Sequence, residues 1–138
     1  MLPKEECEVL LDALLAAAEN LLRKNGEFYP IGAVMTADSD TAFTAAHSDN
    51  EFPDSQSVID ALISSHKQMA EKNEIKASGI TWNASISTPD GKQSDAIIVS
   101  LEHKDDYAVI VGLPYRIGLF KKIKFGEIFA QSGNHNIF

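Results

Sequence analysis

Acid–base, nucleophilic and metal chemistry have few carriers in this chain, which holds one cysteine and four histidines in 138 residues. Glu102-His103, followed closely by Asp105-Asp106, sets a base among acids. Neighbouring side chains on a strand point to opposite faces, so Glu102 and His103 cannot converge unaided. The group reads as the polar tip of a hairpin. His47, Asp49, Glu51 and Asp54 form the densest cluster of metal-ligand types. An EF-hand calcium loop needs a glycine midway and a glutamate at its twelfth position, and the spacing here does not supply them. That cluster reads as a solvated loop leading into a helix cap, and no metal is expected. Tyr115-Arg116, with Lys121, Lys122 and Lys124, makes a basic patch suited to a phosphate or an acidic partner. No glycine-rich loop accompanies it. Serine nucleophile elbows, P-loops, HExxH pairs and dinucleotide fingerprints are absent from the sequence, so no catalytic residue and no cofactor is expected.

The elements that must position these residues can be read from periodicity. Met1 to Gly26 is a helix with its stop: Pro3 suits the first turn, and Cys7, Leu10, Leu14, Ala18 and Leu21 recur at helical steps. Cys7 lies on that stripe and reads as a small buried hydrophobe. Ile31 to Ala37 and Thr41 to Ala46 form a hairpin about Asp38-Ser39-Asp40. A second helix runs from about Ser55 to Lys72, capped by Asp54 or Ser55. His66 falls on its apolar face and reads as a core-edge histidine with a satisfied ring nitrogen. Ile75 to Ser87 alternates as a half-buried strand, and Pro89-Asp90-Gly91 turns it back. Ala96 to Leu101 and Tyr107 to Leu113 are β-branched runs separated by a polar break, the strongest hairpin in the chain. Gly32 and Gly112 interrupt strands where a bulge or a close backbone approach is expected. Pro114-Tyr115-Arg116 then leaves the sheet, and Leu119 to Phe129 suits a short strand or a helical turn.

The fold expected is therefore one α+β domain over residues 1–138. A five-stranded, mainly antiparallel sheet carries two main helices, in the order helix, two strands, helix, three strands. Leu14, Leu21, Leu62, Ile98, Val109 and Val111 are expected to be buried together. With 44% hydrophobic and 23% charged residues the composition is that of a soluble globular protein. The net charge of −8 argues against nucleic acid, whose phosphates repel an acidic surface. The first residues are acidic where a signal peptide is basic, and no apolar run reaches the length of a bilayer span. A cytoplasmic location and no membrane partner are expected.

Several phrases carry a resemblance: GEFYPIGAVM at Gly26 to Met35, PDSQ at Pro53 to Gln56, SDAIIVSLEHKDDYAV at Ser94 to Val109, LPYR at Leu113 to Arg116 and FGEIFAQ at Phe125 to Gln131. Together they resemble a family of small bacterial proteins of unknown function, and the likeness covers most of the chain. It implies a bacterial, soluble, single-domain protein and brings no activity with it. The element order resembles the roadblock and longin group of folds. From the residues, the expected function is non-catalytic binding or regulation through protein–protein contacts, with a protein partner or a second copy in a homodimer. One version is an immunity-type protein whose acidic surface, including Asp49, Asp54 and Asp106, masks a basic toxin. The alternative is a small enzyme or small-ligand-binding domain with its site near Tyr29, His47, His103, Tyr115 and Arg116.

Overall fold

The computed structural model describes residues 1–46 and 53–138. Helix α1 spans Pro3–Asn25, with Glu5 and Glu6 at its positive end and Arg23 and Lys24 at its negative end. It ends where Gly26, in the left-handed conformation, donates its N–H to the Leu22 carbonyl at 2.8 Å. Helix α2 spans Ser55–Glu71 and is capped by Asp54, whose Oδ1 accepts the Ser57 N–H at 2.7 Å.

Among the described residues seven strands form one antiparallel sheet: β1 Ile31–Thr36, β2 Thr41–Thr44, β3 Ile75–Ser87, β4 Gln93–His103, β5 Tyr107–Ile117, β6 Ile123–Phe125 and β7 Phe129–Ser132. Their order across the sheet is β2-β1-β3-β4-β5-β6, and β7 also pairs with β5. This corrects the expected five strands, because the element order runs on past β5. Strands β3, β4 and β5 form a consecutive meander, with Trp82 opposite Ile98 and Ile98 opposite Gly112. Proline does not end β5. Pro114 lies in the strand, and its carbonyl accepts the Gly126 N–H at 2.7 Å. The N–H that proline lacks points to that same edge, where β6 has just finished, so no ladder bond is forfeited. Tyr115 and Arg116 therefore stay in the sheet.

The two helices cover opposite faces. Helix α1 lays Cys7, Leu10, Leu14, Ala18 and Leu22 against Met35, Ala77, Ile97, Val99, Leu101 and Val111. Helix α2 lays Val58 and Leu62 against Ile80, and Ile63 and Met69 against Val34 and Ile75. Leu14 and Leu62 thus belong to separate cores rather than one, with the sheet between them. Leu21 and Val109 are only half-buried. Two glycines make room for close neighbours. A Cβ on Gly32 would collide with Thr44 and the His66 ring, and one on Gly112 would enter the ring of Phe129. Both are close approaches, and neither is a bulge.

Candidate functional site

The sheet has two chemically different ends. At the β4–β5 turn the buried charges are all engaged. Glu6, on the first turns of α1, binds Lys76 Nζ through Oε2 at 2.6 Å and His103 Nε2 through Oε1 at 3.1 Å. The Asp105 N–H is donated to His103 Nδ1 at 3.0 Å, so the ring proton sits on Nε2 and is donated to Glu6. Lys76 also donates to Ser39 Oγ at 2.6 Å, which ties in the β1–β2 turn. The hydrogen bond from Lys76 holds the Glu6 carboxyl below the usual range, against the opposing effect of burial. Burial, with help from Glu6 and Glu102, pushes the Cys7 thiol up to about 12, so it is no thiolate at neutral pH.

Glu102 points to the opposite face, as strand alternation requires. Its Oε1 accepts the N–H groups of Asn136 and Ile137 at 2.8 and 3.0 Å and draws the C-terminal segment under the sheet. Ile137 then packs with Val34 and Ile75. His135 stands between Glu102 and Asp106, at 3.6 and 3.3 Å. Glu102 and His103 are both buried at the end of β4, so the polar tip of the hairpin is confined to the turn that follows them. His66 is similarly engaged, between Thr44 Oγ1 and Ser78 Oγ, each at 2.7 Å. Burial lowers its pKa to about 4, so the imidazole is neutral.

The other end of the sheet is open. An open cleft of about 570 Å³ lies between the β3–β4 turn and the strands β5 and β6. Pro114, Phe125 and Phe129 supply apolar wall, and Lys92, Arg116 and Lys124 supply positive charge. Arg116 and Lys124 are direct cross-strand partners and share a face. Among the described residues no carboxylate lies within 4.0 Å of Lys92, Arg116 or Lys124. Two acids also line the cleft, Asp90 and Glu127; Asp90 is occupied by its own turn, where it accepts from Thr88 Oγ1 and from the Lys92 N–H, and its pKa is lowered by those bonds. Tyr115 borders the cleft but turns its ring into the α1 core. There burial raises its pKa, with Asn83 donating to its hydroxyl at 3.5 Å.

No protein-family model, curated protein or solved structure matches this chain.

The residues named from sequence are dispersed. Tyr115 and Arg116 both border the cleft, with their side chains on opposite faces of β5. His103 pairs with Tyr107, eight residues from Tyr115 along β5, or about 26 Å at strand rise. Tyr29, 52% exposed, borders a separate groove with Leu21 and Phe28. His47, Asp49 and Glu51 lie outside the described residues. Asp54 caps the start of α2, whereas Asp106 sits at the β4–β5 turn, beyond its far end; the helix between them is about 25 Å long. Among the described residues no three His, Cys, Asp or Glu side chains are placed to hold a metal ion. Sequence reasoning missed Lys92, Phe125 and Phe129 as cleft residues. The alternation Ile123-Lys124-Phe125 was the available signal, since it marks a strand that places Lys124 beside Arg116.

Proposed function

We propose that the chain is a non-catalytic binding protein whose cleft takes an anionic group carried on an apolar or flat body. The observation that supports this is the pairing of Arg116 with Lys124, faced by Lys92, with no carboxylate within 4.0 Å of any of the three among the described residues. Like charges directly opposite on adjacent strands destabilise a sheet by about 0.2–1 kcal/mol. A bound anion turns that repulsion into attraction, and a guanidinium offers it a planar fork of donors. The walls made by Pro114, Phe125 and Phe129 suit the body of the ligand.

Calorimetric titration with inorganic phosphate, phenyl phosphate and benzyl alcohol tests this. Phenyl phosphate should bind best and benzyl alcohol not at all, and Arg116→Ala with Lys124→Ala should weaken binding about tenfold or more. Absence of phenyl phosphate binding, or equal binding by the double variant, would overturn the reading.

A further inference from the structure

Phe120 and Leu119, at 95% and 85% exposure, are the two most exposed large apolar side chains among the described residues, and they are adjacent. They occupy the tip of the β5–β6 hairpin, which Gly118 closes by donating its N–H to the Lys122 carbonyl at 2.8 Å. Phe120 and Lys121 both hold φ of 59°, a left-handed backbone that side chains with a Cβ rarely adopt. Strain of this kind concentrates at ligand clamps and switch regions, and here it accompanies an exposed aromatic side chain. Charge around the tip has one sign. Residues 107–126 include Arg116, Lys121, Lys122 and Lys124 and no acid, in a chain of net charge −8.

We infer that this tip inserts into an anionic lipid surface. Phe120 and Leu119 enter the boundary between headgroups and acyl chains, and Lys121 and Lys122 meet the lipid phosphates. A projecting apolar tip flanked by cations complements a surface that is negative at its face and apolar just beneath. A protein pocket for the same tip would have to supply a concave apolar site ringed by acids. The inference rests on the cleft reading in one respect: Arg116 and Lys124, on the strands leading to the tip, take the phosphate of an adjacent headgroup. Asp90 and Glu127 border the cleft; acids farther away oppose the contact little, because charges beyond about 8 Å are screened at physiological ionic strength. No helix among the described residues is long and apolar enough to cross a membrane, so the contact is peripheral. The expectation of no membrane partner rested on the lack of an apolar span, and a hairpin tip needs none.

Sedimentation with vesicles of phosphatidylcholine alone, and with phosphatidylglycerol added, tests the proposal at low and high salt. The protein should pellet with the anionic vesicles only, and salt should release it. Leu119→Ser with Phe120→Ser should lower vesicle affinity about tenfold or more, yet leave phenyl phosphate binding unchanged. Phe120→Trp gives a second readout: its emission should shift blue on anionic vesicles and stay put with phenyl phosphate. If the wild-type protein ignores anionic vesicles but binds phenyl phosphate, the lipid assignment fails and the cleft reading stands. If it binds neither, both fail. Vesicle binding undiminished in the serine variant would remove the tip from the contact. A soluble acidic peptide that shifts Phe120→Trp while vesicles do not would place a protein there and overturn the lipid assignment.

Discussion

His66 shows what one residue contributes and how it can be checked. Its place on the apolar face of α2 was legible from helical spacing alone, since every third or fourth residue there is apolar. Its partners were not, because Thr44 and Ser78 come from two strands that spacing within the helix says nothing about. The folded pKa is lowered from 6.5 to about 4 by burial. Between those values the unfolded chain binds a proton that the folded chain refuses. Titration of His66 therefore leaves stability unchanged above pH 6.5 and lowers it as the pH drops toward 4, by about 3 kcal/mol in all. Urea denaturation of the wild type and His66→Gln across this range should show the difference. The variant, which has no group to titrate at this position, should be less stable at neutral pH but lose less on acidification. Parallel pH profiles in the two proteins would mean that His66 titrates as freely in the folded state as in the unfolded one. Glu102 and His103 were harder to read. Their partners lie 34, 35 and 97 residues away along the chain, and local polarity marked both only as part of a polar hairpin tip.

The meander β3-β4-β5 and both helices were legible from sequence because turn chemistry and periodicity are local signals. Strand β6 falls within the segment read as a short strand or a helical turn, whereas β7 was not legible, since it is four residues, Phe129–Ser132, with two polar residues at an edge. Pro114 misled in a specific way. It reads as an exit from the sheet, and that reading holds only when a neighbouring strand needs its N–H. With the exit assumed, Arg116 and Lys124 were visible as basic residues but not as partners. Close packing across the edge gives a test of the arrangement. The Phe129 ring occupies the space that a side chain at Gly112 would fill, so Gly112→Val must displace β7 from β5. The expected cost is about 1–3 kcal/mol, with faster amide exchange confined to residues 129–132. Unchanged exchange in that segment would show that the ring moves aside without loss. On the α1 face Leu14 is fully buried, and Leu14→Ala should lower stability by about 2–5 kcal/mol as a cavity mutation. A denaturation midpoint equal to wild type would place the α1 stripe off the sheet.

At the scale of the molecule, the sheet separates two tasks. One end is held by buried charges: Glu6 ties α1 to β3 and β4, and Glu102 ties the C-terminal segment to β4. The other end leaves Arg116 and Lys124 side by side, with no carboxylate within 4.0 Å of them among the described residues, and exposes Leu119 and Phe120. Stability contributed by one end and binding proposed for the other should therefore vary independently. Glu102→Ala strands two backbone donors, Asn136 and Ile137, and should cost about 2–3 kcal/mol. It should not alter phenyl phosphate affinity. Arg116→Ala relieves a like-charge pair, so it should leave stability equal or raise it by a few tenths of a kcal/mol, while weakening the ligand. Strand β5 sets the two sites roughly 25 Å apart, beyond the distance at which side chains usually couple. The double variant should then show the sum of the single effects to within about 0.5 kcal/mol in both measurements. A larger discrepancy would mean that the ends communicate through β4 and β5, and that the C-terminal segment held by Glu102 acts on the cleft.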